Sequence, residues 1–116
     1  MRCLLSLVVL AALLCGCRDD APVHAAERAR GKALLAAYGC TACHTIKGLH
    51  AGAGKAGPAL EHIADNSYIA GILPNTRAAM AHWIVAPRSV SPGTAMPDLG
   101  VKPDEARAMA IYLYDQ

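Results

Sequence analysis

Hydrophobic residues crowd the start of this chain and then thin into short, helix-spaced groups. Leu4 to Cys15 is apolar except for Ser6. A helix of that length rises about 18 Å, too short for a bilayer core of about 30 Å. With Met1-Arg2 before it and small residues after it, the run reads as an export signal over residues 1–16. Residues 17–26 read as a tether, of which residues 18–26 are charged, Pro-bearing and Ala-rich and reach at most about 30 Å at full extension. Ala25 to Tyr38 is rich in Ala, Leu, Arg and Lys, which predicts a helix stopped by Gly39. Residues 45–57 hold four glycines and no period, hence a loop. Ala59 to Asp65 is expected to form a short helix, and Ser67 to Leu73 a short apolar piece closed by Pro74. Asn75 is the expected N-cap of a helix on which Met80, Trp83 and Ile84 recur at i, i+3 and i+4. Pro87 closes that helix, and Pro92, Gly93 and Pro97 break residues 87–102 into a loop. Pro103, Asp104 and Glu105 suit a first helical turn, after which Ala106, Met109, Ala110 and Leu113 form one apolar stripe. No period-two pattern occurs. The expectation is a single all-α domain over residues 27–116 with long loops, and loops of that length point to function.

Composition sharpens this picture. The chain has 116 residues, one Trp, four Tyr and no Phe, so its core is thin and a domain of this size needs a staple or an internal group. With 11 Lys+Arg against 9 Asp+Glu, it lacks the basic stripe that nucleic acid requires, and no nucleic-acid partner is expected. Leu14-Cys15-Gly16-Cys17 resembles a bacterial lipoprotein signal, in which cleavage before the cysteine leaves it acylated. Cys17 is then the lipidation site and the membrane attachment. The alternative is cleavage after Val23-His24-Ala25 and a soluble exported protein, although Arg18, Asp19 and Asp20 then stand awkwardly between the apolar run and the cut.

Cys40-Thr41-Ala42-Cys43-His44 carries the chemistry. Cys-x-x-Cys-His is the attachment pattern of c-type haem. Two thiols three residues apart on one turn reach the vinyl groups along one haem edge, and the next residue turns its imidazole to the iron. A zinc site would need a second Cys/His pair at suitable spacing, and the chain has none. A thioredoxin-like dithiol would need strands around it. Export agrees with haem attachment, which takes place on the periplasmic side.

Over about residues 29–115 the chain resembles the class I c-type cytochromes, in particular the monohaem domains of bacterial lipoproteins and respiratory oxidase subunits. The matching stretches are Gly31-Lys32-Ala33-Leu34, Gly39 before the haem motif, Gly57-Pro58-x-Leu60, Pro74-Asn75-Thr76, Trp83-Ile84, Pro87, Pro92-Gly93, Met96-Pro97 and Tyr112-Leu113. The resemblance implies one covalent haem c on Cys40 and Cys43, wrapped by long loops. It also implies that the first and last helices cross, with Gly31 and Leu35 against Met109 and Tyr112. Pro58 is implied to accept the N–H of the iron-bound His44, and Trp83 to donate to a haem propionate. Taken by themselves, Pro58 is a loop proline and Trp83 a core aromatic. The chain departs from its relatives where an arginine is common near Asn66, where Ser91 replaces a lysine before Pro92, and where Leu35 stands in place of an aromatic.

His44 supplies one axial ligand, and the other has to be chosen among Met80, Met96, Met109, His50, His62 and His82. Met80 and Met109 fall on apolar helical stripes, where a core role is the plainer reading. His50 lies in the glycine-rich loop, and His62 and His82 on expected helices, where a surface histidine is the plainer reading. Met96 lies in the Pro/Gly loop before Pro97 and matches the family's Met-Pro loop, so it is the expected ligand. His/Met ligation raises the potential. The expected function is electron transfer by a tethered carrier or small respiratory subunit on the periplasmic side of a membrane, with redox proteins there as partners. No catalytic residues are expected. The alternative is a haem enzyme or gas-binding protein with a labile sixth ligand. Lys47, Lys55 and Lys102 are scattered, so docking is expected on an apolar rim near Thr41-Ala42 and Ala95-Met96-Pro97.

Overall fold

The computed structural model describes residues 20–50 and 56–116; the signal and Cys17 lie outside these residues. Among the described residues four α-helices carry the fold: α1 (Asp20–Ala37), α2 (Arg77–Val85), α3 (Pro87–Val90) and α4 (Pro103–Tyr114). Short 3-10 turns form at Cys40–Ala42 and Ile63–Asp65. No helix among the described residues is long and apolar enough to cross a membrane.

Helix α1 begins at Asp20, so residues 20–26 are helical rather than the extended tether expected for residues 17–26. Pro22 does not prevent this, because a proline in the first helical turn removes an N–H that has no partner anyway. Asp20 adds a carboxylate at the positive end of the helix dipole. The helix stops as expected: Gly39 takes φ +69°, a left-handed conformation that costs glycine least.

α1 and α4 cross where Gly31 meets the backbone of α4. A Cβ on Gly31 would lie 2.0 Å from the carbonyl oxygen of Ala108. The missing side chain therefore lets the two backbones touch, at Ala108 and at Met109 N, 3.0 Å from such a Cβ, the latter being the contact that the sequence implies. The stripe of Ala106, Met109, Ala110 and Leu113 is buried throughout. Around the crossing, Arg28 stacks over the Tyr112 ring at 5.0 Å and donates to the Asp115 carbonyl oxygen at 3.1 Å. Asp115 also receives Arg77 at 2.6 Å and stands 3.3 Å from His24. It thereby joins α1, α2 and the end of α4.

Several further expectations need correction. A small antiparallel hairpin, β1 (Tyr68–Ile69) and β2 (Leu73–Pro74), occupies the stretch where no strand was expected. Its turn places Ala70 at φ +52° and Gly71 at φ +71°, and Ile72 N–H donates to the Ile69 carbonyl at 3.0 Å. Two successive left-handed residues give the turn a twist that suits a hairpin. The N-cap of α2 is Thr76, whose hydroxyl accepts from Ala79 N–H at 3.1 Å. Asn75 instead acts as a connector. Its amide donates to the carbonyls of Ile63 and Asn66, each at 2.6 Å, and its carbonyl oxygen accepts the Tyr114 hydroxyl. The expected helix over residues 59–65 is reduced to the turn Ile63–Asp65. Pro87 does end α2 and starts α3 in the same stroke, at the first helical position.

Candidate functional site: an apolar cavity bordered by the Cys-x-x-Cys-His turn

Gly39 reverses the chain at the end of α1 and delivers residues 40–44 to the edge of a cavity of about 350 Å³. That volume is in the range of pockets that hold cofactors, roughly 300–1,000 Å³. Its walls come from three helices and the hairpin: Leu35 of α1, Ile69 of the hairpin, Met80 and Ile84 of α2, and Met109 and Leu113 of α4. Leu35 and Leu113 are each only 2% exposed, yet both border this space. Among the described residues no Lys, Arg, Asp or Glu lines the cavity; its polar side chains include Trp83, Ser91 and Thr94.

Cys40 and His44 are on the cavity wall, and Cys43 follows one turn on from Cys40. Both thiols are free and half-buried. Burial pushes the Cys40 thiol up, which favours the neutral S–H over the thiolate. Thr41, between them, is buried, whereas Ala42 is exposed.

The imidazole of His44 is held by the segment that follows the glycine-rich loop. Gly57 N–H donates to the Cys43 carbonyl at 2.8 Å, and Leu60 N–H to the Thr45 carbonyl at 2.9 Å, so residues 57–60 run along the motif. His44 Nδ1 lies 2.7 Å from the Pro58 carbonyl oxygen. A carbonyl only accepts, so Nδ1 carries the proton and Nε2 keeps a free lone pair. Gly57 lies on the ring itself: a Cβ there would be 2.4 Å from His44 Cε1. Pro58 is legible in the sequence as the acceptor, whereas the contact of Gly57 with the ring is not. The Gly-Pro pair is the signal for that acceptor.

Met96, Met80 and Met109 all line the cavity, so lining alone does not separate them. Met80 and Met109 rise from α2 and α4 and are 3% and 0% exposed within the core. Met96 is half-buried on the loop between α3 and α4, where Ala95 and Pro97 beside it are exposed. His50, His62 and His82 are not on the cavity wall. Trp83 is, half-buried on α2, and so is Ser91.

The donor set suits a haem. The space is apolar, as a macrocycle requires. Cys40, Cys43 and His44 share one turn at its edge. His44 has one nitrogen fixed by Pro58 and the other available to a metal.

The family model for cytochrome c matches residues 28–115. No curated protein and no solved structure matches the chain.

Proposed function

The chain belongs to the cytochrome c family, carries covalently attached haem c and serves haem-based electron transfer, and on that premise we propose a tethered carrier with His44 and Met96 as axial ligands. When bound, the haem supplies a one-electron iron couple. Everything else is done by the chain's own residues. Cys40 and Cys43 hold the group through thioethers, so it cannot leave a thin-cored domain. Pro58 keeps the proton on Nδ1 of His44 and makes Nε2 a stronger donor. Met96 offers a soft thioether, which favours the reduced iron and raises the potential. The apolar walls exclude water from these groups and act in the same direction.

The observation that carries the reading is the His44–Pro58 hydrogen bond on a cavity that Met96 also lines. Trp83, Ser91 and Thr94 are the donors on that wall that would serve the propionates, in a lining without a described cationic side chain. Two experiments test it. Haem staining of a denaturing gel should follow the polypeptide, and extraction of the haem into acidic acetone would refute covalent attachment. Oxidised protein should show a far-red sulfur-to-iron band; a five-coordinate reduced form that takes up carbon monoxide at once would indicate a gas-binding or catalytic haem instead.

The lipoprotein-type signal supports anchorage through Cys17 on the periplasmic side of a bacterial membrane, with redox proteins there as partners. Intact mass starting at an acylated Cys17 is the expected result; an unmodified N-terminus at Ala26 would mean a soluble carrier. Of the expected docking rim, Ala42, Ala95 and Pro97 are exposed, while Thr41 is buried and drops out. Leu99, 43% exposed and also on the cavity wall, joins them. An apolar rim of this kind predicts electron exchange that changes less than about tenfold across a tenfold range of ionic strength.

A further inference from the structure

The loop that bears Met96 is held by its own short-range hydrogen bonds. Thr94 N–H donates to the Ser91 carbonyl at 3.0 Å, and Gly100 N–H to the Asp98 carboxylate at 3.0 Å. Between them, Met96 N–H donates to the Thr94 hydroxyl oxygen at 3.2 Å. Pro97, next along, has no N–H and confines Met96 to extended backbone. Met96 is thus constrained from its C-terminal side by a ring and from its N-terminal side by one hydroxyl. Thr94 is suited to that task. It is half-buried, it lines the same cavity as Met96, and its β-branch stiffens χ1 so that the oxygen stays in place. Serine and threonine hydroxyls bond the backbone two residues on in this way in turns.

We propose that Thr94 is a positioning residue for the sixth ligand: its hydroxyl holds the Met96 backbone so that the thioether stays at the iron. The proposal rests on the reading of Met96 as ligand. A thioether bonds iron weakly and is kept there by its local concentration, which depends on how narrowly the loop confines it. Without the hydroxyl, the half-buried Met96 N–H has lost its partner. The balance between the closed loop and one swung out to water then shifts toward the open form.

The test uses the haem-loaded protein with Thr94→Val, Thr94→Ser and Met96→Ala, titrating the oxidised form with imidazole and recording the far-red band. Valine keeps the shape and removes the hydroxyl. Thr94→Val should bind imidazole roughly threefold to tenfold more tightly than the parent, the range one such hydrogen bond spans, and lose part of the band. Thr94→Ser should restore both. Wild-type affinity in Thr94→Val, alongside much tighter binding in Met96→Ala, would overturn the role of Thr94 while leaving Met96 as ligand. Equal changes in Thr94→Val and Thr94→Ser would also overturn it, since packing of the methyl group would then be the cause. An unchanged band in Met96→Ala would overturn the ligand reading and this proposal together.

Discussion

Gly57 lies so close to the His44 ring that a single added carbon would meet it at 2.4 Å from Cε1 and 2.6 Å from Nδ1. The same segment supplies the Pro58 carbonyl oxygen that accepts the hydrogen bond from His44 Nδ1 at 2.7 Å. One short stretch of backbone thus sets both the position and the tautomer of the imidazole. Gly57→Ala should tilt the ring and stretch that hydrogen bond. A lowered yield of haem-loaded protein is expected, together with a redox potential shifted from the parent. Spectroelectrochemical titration of the purified protein measures it, and an unchanged potential would show that the loop simply moves aside.

The contact of Gly31 with Ala108 makes a second prediction. Alanine is the better helix former by about 1 kcal/mol, so propensity alone would make Gly31→Ala stabilising. The Cβ would overlap a backbone carbonyl at 2.0 Å, and backbone cannot rotate away. Overpacking of this kind costs about 1–3 kcal/mol or more, and the crossing should lose more than the helix gains. Denaturant unfolding of the haem-loaded variant should show a lower midpoint. A raised midpoint would mean that the helices separate at little cost.

Three methionines face one cavity, and the choice among them can be made directly. Met96→Leu should abolish the far-red band of the oxidised protein. Met80→Leu should leave the band in place and cost less than about 1.5 kcal/mol, because leucine replaces methionine at nearly constant volume. The opposite result would move the ligand onto α2.

Acid should loosen the tie between α1 and α4. Glu105 accepts the Tyr38 hydroxyl at 2.7 Å and the Lys102 N–H at 3.1 Å. The Tyr38 hydrogen bond, and then that backbone N–H, hold the Glu105 carboxyl below its ordinary value. A depressed carboxylate contributes stability that is present above about pH 4.3 and is lost as the pH falls through its folded value. The same hydrogen bond to Glu105 raises the Tyr38 hydroxyl, whose contribution lasts until the pH climbs through its own folded value. Glu105→Gln should therefore lower the unfolding midpoint at pH 7 and converge with the parent in acid. A constant difference down to about pH 2.5 would assign the effect to packing.

Much of this arrangement could be read before the fold was known, and the exceptions have physical causes. The stripe at Ala106, Met109, Ala110 and Leu113 is legible because burial on one helix face needs that spacing. Gly39 is legible because a left-handed stop favours glycine. The hairpin escaped because strands of two residues are too short to alternate, and because an alanine takes the left-handed position where Asn or Gly would have signalled it. Asn75 looked like a cap because asparagine caps well, but its amide offers two donors and an acceptor, and tertiary partners took them all. The start of α1 is hidden because Asp20 and Pro22 look like punctuation although they are good first-turn residues. At the site, the cysteines, His44 and Pro58 were legible from spacing and resemblance. The contacts of Gly57 and Thr94 depend on which loops meet, and no local pattern encodes that.

The early start of α1 changes the mechanics of any anchor attached before it. Eighteen helical residues make a rod of about 27 Å, fixed where it crosses α4 and by Arg28 and His24 to Asp115 just after α4, and ending at the turn that carries Cys40. A flexible leash would let the domain tumble and present its haem edge in all directions. A rod fixed to the domain passes a pull or a twist at Asp20 straight to the body. Lipidation at Cys17 would then leave only residues 18 and 19 between the acylated residue and the rod. A pull at Asp20 would then reach the turn that carries Cys40 through a single helix.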